Sequence, residues 1–256
     1  MKMRLVFCTL ILCNLQPPCA LAQEPPPINP DETGGAAHQP AAHQPAAPVP
    51  AIGIRYKPPF RGAPATRVGG ASRGTTDKDL VLSVLAPEQT GLTTSAQPTL
   101  YWYMSKAVTM PMEFTLNDEQ TGHTLLKQPV KLEAPVRLGI QHLRLSNYSL
   151  KTGVEYRWFI ALVPDMGQRS HDIIAGGTIQ YVQPPAALEG RLKHANRREM
   201  PAIYAAQGFW YDAIASISEL IDTNPGDKSL REQRAALLEQ VGLTAAAAYD
   251  RHAVGP

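Results

Sequence analysis

Ser170-His171-Asp172 sets a hydroxyl, an imidazole and a carboxylate side by side, the three groups that serve acyl transfer as nucleophile, base and orienting acid. Consecutive side chains in an extended segment point to alternate sides, so these three do not converge as a triad must. No Gly-x-Ser-x-Gly elbow accompanies them. The run reads better as a loop in which Asp172 pairs with Arg169 or Arg157, or caps backbone amides before a final strand. A hydrolase assembled from Arg157, Arg169, His171 and Asp172 stays open as the least favoured reading.

Other chemistry is thin. His123, His142, His171, His194 and His252 never stand at metal-ligand spacing. Glu113, Asp118, Glu119, Glu133 and Asp165 are scattered, so no paired carboxylates can be proposed. The glycines of residues 68–74 lack the preceding strand and following helix of a phosphate loop. All three cysteines, Cys8, Cys13 and Cys19, fall in the first 19 residues. Nothing indicates a catalytic residue, a metal or a cofactor. Binding groups are easier to name. Arg61, Arg67 and Arg73 belong to a basic arm without one acid over residues 55–74, suited to an anionic polymer or an acidic protein face. Tyr101 and Tyr103 alternate with Leu100, Trp102 and Met104, which predicts an outward aromatic pair and an inward apolar trio.

The elements that position these groups follow from periodicity. Residues 80–85, 99–105, 112–117, 123–132, 136–145, 153–163 and 173–182 alternate in hydrophobicity between turn residues. Short strands at this spacing predict an all-β antiparallel sandwich rather than a parallel sheet. Trp102 and Trp158 are core candidates. Residues 150–158, Leu-Lys-Thr-Gly-Val-Glu-Tyr-Arg-Trp, resemble the approach to a late strand in immunoglobulin-like and fibronectin type III sandwiches, which implies a tyrosine corner at Tyr156. Past Pro184-Pro185 the period becomes helical: residues 186–195, 200–207, 209–222 and 229–241, the last with Ser229 and Glu232 as a capping box and Gly242 as terminator. Residues 208–227 read like half of a tetratricopeptide hairpin, with Trp210 as its core anchor. The match is single, whereas binding arrays need about three units.

The ends bound the setting. Residues 1–22 carry Lys2 and Arg4 before an apolar core too short for a membrane span, and Ala20-Leu21-Ala22 suits signal peptidase. This predicts a signal peptide, then a disordered Pro/Ala-rich linker with tandem AAHQP and the basic arm over 23–76. A sandwich domain over 77–183, a helical appendage over 184–243 and a disordered tail over 244–256 complete the expected organisation. A formal charge of +2 argues against a nucleic-acid partner.

Four stretches together, RGAPATRVGGASRG, LSVLAPEQTGLTTSAQPTLYWYM, GVEYRWFIALV with RSHDIIAGGTIQYV, and PAIYAAQGFWYDAIASISEL with LLEQVGL, resemble the bacterial family Domain of Unknown Function 928. The resemblance covers about residues 60 to 243 and implies an exported protein of no established activity, found mainly in cyanobacteria and some proteobacteria. The expected function is a noncatalytic periplasmic or secreted interaction or scaffold protein with an envelope or secretion partner. A cell-wall glycan binder using Tyr101, Tyr103 or the arm is the alternative. No membrane span is expected after cleavage of the leader.

Overall fold

The computed structural model describes residues 53–59, 67–71, 80–131 and 136–253, all within one compact unit, Val49–Pro256. The expected leader, most of the linker, Arg61 and Arg73 lie outside the described residues.

Among the described residues nine strands form two sheets. The first has the order β1 (Gly70–Ala71), β2 (Val81–Val84), β4 (Thr99–Met104), β7 (Gly139–Arg144), antiparallel throughout. The second runs β3 (Gly91–Thr93), β9 (Ile173–Tyr181), β8 (Glu155–Leu162), β5 (Met112–Asp118), β6 (Thr124–Pro129), antiparallel except that β3 pairs parallel to β9. Leu82, Val84, Leu100, Trp102 and Met104 of the first sheet join Phe114, Leu116, Tyr156, Trp158 and Ile160 of the second in one hydrophobic cluster. Alternation dictates this, since every second side chain of β2, β4, β5 and β8 is large and apolar. The result is a β-sandwich-like body. The Tyr156 hydroxyl accepts the Lys151 amide proton at 2.9 Å, the bond that the expected tyrosine corner requires. In the β5–β6 hairpin Asp118 Oδ1 accepts from the Thr121 amide at 2.8 Å, and Gly122 closes the turn.

A single turn of 3-10 helix at Arg169–His171 precedes β9. Five α-helices then follow: α1 (Ala186–His194), α2 (Met200–Ala206), α3 (Trp210–Thr223), α4 (Lys228–Gln240) and α5 (Thr244–His252). The cap of α4 is Asp227, whose carboxylate accepts from the Ser229 amide at 3.0 Å and from the Ser229 hydroxyl. The expected Ser229 cap is thus corrected by two residues, because an anion outcompetes a hydroxyl for the first-turn donors.

Residues 244–252, expected as a disordered tail, are α5: Ala246 and Ala247 are small enough to bury, Tyr249 packs on Tyr103 with ring centroids 5.7 Å apart, and Asp250 pairs with Arg234. Tyr101 and Tyr103, expected on an open face, are only 5% and 7% exposed. The helices cover the second face of β4, so this strand is buried on both sides. Two short strands, β1 and β3, have no sequence signal at two and three residues.

Candidate functional site

Three consecutive residues at the start of α3 fasten the helices to the sheets. Trp210 Nε1 donates to the Leu85 carbonyl, just past β2, at 2.8 Å. The Tyr211 hydroxyl donates to the Thr178 carbonyl of β9 at 2.9 Å and accepts from Trp158 Nε1 of β8 at 2.9 Å. Burial pushes the Tyr211 phenol well above its ordinary pKa, so it stays a neutral donor. Gly91 admits its ring, since a Cβ there would stand 2.6 Å from Tyr211 Cε2. Asp212 then accepts the Thr94 amide and hydroxyl protons at 3.0 and 2.6 Å. Burial raises the pKa of its carboxyl, opposed by those Thr94 bonds. Their strand partners make these three side chains an anchor, and the anchor fixes where α3, α4 and α5 lie over β4 and β7.

Between those helices and the outer face of β4 and β7 lies an open recess of about 390 Å³. Tyr101 and His142 are directly opposite across the β4–β7 pair, their rings 5.5 Å apart. The floor is ionic: Arg234 Nε and Nη2 each donate to Asp250 at 2.7 Å, and Arg234 Nη1 donates to Ser218 Oγ at 2.8 Å. Arg234 and Asp250 are 4% and 1% exposed, so each compensates a charge the other could not leave bare. Burial, with the charges of Glu219 and Asp222, pushes the pKa of the Tyr101 phenol up to about 12. Tyr101 therefore offers a proton at neutral pH. Arg231 and Asp222 stand at the rim, and the Arg231 Nε–H is buried with no partner among the described residues. An unspent donor with an acceptor beside it suits a carboxylate, an amide or a hydroxyl of a ligand. A smaller cleft of about 300 Å³ lies along α3, with Arg197, Tyr204 and Glu219 on its walls.

The other sequence candidates are dispersed. Arg67 is spent internally, donating to the Ala86 carbonyl at 3.0 Å and to the Val241 carbonyl, past the end of α4, at 2.9 Å. Its proposed role as an external contact is corrected accordingly. Arg169 pairs with Asp172 at 2.7 Å, as expected, and also with Glu113 at 2.5 Å. Arg157 instead holds Glu119 through two bonds of 2.5 and 2.6 Å. Arg157 and Arg169 hence grip opposite ends of β5, and His171 is exposed. None of Arg157, Arg169, His171 and Asp172 lines either recess. Among the described residues no three His, Cys, Asp or Glu side chains could hold a metal ion, and no helix is long and apolar enough to cross a membrane.

Ser218, Arg231, Arg234 and Asp250 escaped the sequence reading, and His142 entered it only as a metal ligand to be rejected. One signal was present: Arg234 interrupts the stripe Leu230, Leu237, Leu238, where a charge needs a buried partner.

The chain matches the family model described as Domain of Unknown Function (DUF928) over residues 68–250. No curated protein matches it. Among solved structures it is similar to an engineered protein (TM-score 0.29, 8% identity, covering 42% of this chain and 21% of that one). It is also similar to a DUF3244 family protein with an immunoglobulin-like β-sandwich fold from Bacteroides vulgatus (TM-score 0.21, 14% identity, 32% of this chain and 74% of that one). A third likeness is to a multi-domain immunophilin from Arabidopsis thaliana (TM-score 0.16, 10% identity, 74% and 97%). The chain spans 21% of the first of these structures. Likenesses this distant say nothing of activity.

Proposed function

The chain belongs to the Domain of Unknown Function (DUF928) family, and on that premise we propose that it is a noncatalytic, exported interaction or scaffold protein of the cell envelope. It presents the helix-roofed recess to a protein of an envelope or secretion assembly. The observation that carries this reading is the recess itself, lined by Tyr101 and His142, where the buried Arg231 Nε–H has no partner among the described residues. A cavity of that size, open to solvent, suits one side chain or a chain terminus of a partner more than an enclosed substrate. The basic leader with its apolar core supports export, and an immunoglobulin-like or fibronectin-like sandwich with one tetratricopeptide-like hairpin is the finer architecture that goes with the reading. The glycan alternative loses its stacking version, since the Tyr101 and Tyr103 rings are buried.

The test is affinity capture from envelope fractions with the wild-type chain, Arg231→Glu and His142→Ala. A partner that uses the recess is recovered by the wild type and lost at least tenfold with Arg231→Glu, because a repelling charge replaces an attracting one. Equal recovery by all three chains would refute the assignment of the recess.

A further inference from the structure

Residues 53–59, Gly-Ile-Arg-Tyr-Lys-Pro-Pro, cross the helical layer as an extended strap. Ile54 and Tyr56 are buried while Gly53, Arg55 and Lys57 are exposed, the period-two pattern of an extended peptide with one side bound. Its backbone is held at three points. The side-chain amide of Gln240, the last residue of α4, accepts the Tyr56 N–H at 2.9 Å and donates to the Ile54 carbonyl at 2.9 Å, as the edge of a neighbouring strand would. The Lys57 N–H donates at 3.0 Å to the Ala205 carbonyl, in the last turn of α2 where carbonyls lack helical partners. Tyr56 meets Trp210 edge to face, centroids 4.9 Å apart. The opposite wall is bare backbone at Gly208, in the left-handed region at φ 84°, where a Cβ would stand 3.0 Å from the Lys57 carbonyl oxygen.

Main-chain hydrogen bonds combined with pockets for alternate side chains are how proteins hold extended peptide ligands. The Tyr56 hydroxyl is buried without a partner among the described residues, a defect more in keeping with a held ligand than with an optimised core. We propose that the groove bounded by α2, the Gly208 turn, the start of α3 and the end of α4 is a peptide-binding site for an extended segment carrying an aliphatic residue and a tyrosine two apart. Residues 53–59 are its resident, exchangeable occupant, and the segment that replaces them is the same strap from a second copy of this chain. Covalent attachment gives the resident strap an effective concentration on the order of 1 mM, so an external segment of equal affinity at about 10 µM fills roughly one groove in a hundred. Reciprocal exchange between two copies loses no contacts, which favours the second copy over unrelated sequences. The groove residues Ala205, Gly208, Trp210 and Gln240 are absent from the lining of the recess. The two readings therefore stand or fall separately.

The probe is a labelled synthetic peptide with the sequence of residues 51–60, read by fluorescence anisotropy against the full chain. The Ile54→Asp/Tyr56→Asp variant, checked by circular dichroism, empties its own groove and binds the peptide at least tenfold more tightly than the wild type does. A peptide in which both positions are alanine stays free. In the wild-type chain the Tyr56 and Lys57 amides exchange hydrogen at least tenfold faster than those of Trp158 and Ile160, through local release of the strap. Gln240→Ala accelerates them at least tenfold further and leaves β8 unchanged. Equal peptide binding by variant and wild type, no binding by a folded variant, or strap amides that exchange only together with β8 would overturn the proposal. Should the double variant not fold, the exchange rates of the wild-type and Gln240→Ala chains decide alone.

Discussion

Tyr211 touches three strands through one oxygen and one ring, so its hydroxyl is the most consequential polar atom of the sheet–helix junction. Tyr211→Phe leaves the Trp158 indole N–H and the Thr178 carbonyl buried without that partner. The expected loss is about 1–3 kcal/mol in urea unfolding; a loss below a few tenths would remove the hydroxyl from the account. Glu113 shows the opposite kind of control, at the surface. Hydrogen bonding from Arg169, with Lys127, holds its carboxyl down to about 2 against burial. A carboxyl depressed in the folded state stabilises fully above its ordinary pKa and loses that contribution as pH falls toward 2. Asp212, raised by burial, works in the reverse sense: its contribution is present at low pH and is lost as pH rises through its raised pKa. Glu113→Gln should therefore flatten the fall in urea midpoint between pH 5 and 2; an unchanged slope would contradict the pairing with Arg169. Residue types were legible where size alone decides. Trp102, Tyr156, Trp158 and Trp210 all proved buried. Arg67 was not legible, because the two carbonyls it binds are supplied by segments 19 and 174 residues away.

At the scale of elements, seven of the nine strands and four of the five helices could be read from periodicity, since each presents one apolar face at its own repeat. What alternation could not say is that β4 has no free face. Its tyrosines are amphipathic enough to look solvated, and the elements that cover them include α5, an alanine-rich segment of low apolar content. The pair that seats α5 makes a sharp prediction. Asp250→Ala leaves the buried Arg234 guanidinium without its counter-charge and should cost about 3–5 kcal/mol, whereas Arg234→Met combined with Asp250→Leu should recover most of it. Chemical denaturation of the three chains checks this; a single variant as stable as the wild type would show that α5 is peripheral.

Over the whole molecule, the strap, two sheets and five helices depend on one another through Trp210, which reaches Leu85 by its indole nitrogen and Tyr56 by its ring. Trp210→Ala should cost about 3–5 kcal/mol. Sheet and helix signals should still fall in one transition, whereas separate transitions would make the helices an independent appendage. The recess exists only because these parts meet, which is why no single stretch of sequence announced it: Tyr101 and His142 come from paired strands, Arg231 and Arg234 from α4, and the register that joins them is set by the fold. The claim that this recess is where a partner docks is tested most directly by site-specific photo-crosslinking in cells that make the protein. A photoreactive residue at Asp222 or Pro225, on the rim, should give one discrete protein adduct that Arg231→Glu abolishes, while the same residue at Ile174, exposed on β9 of the other sheet, gives none. Adducts of equal yield from both faces, or none from the rim, would contradict the account.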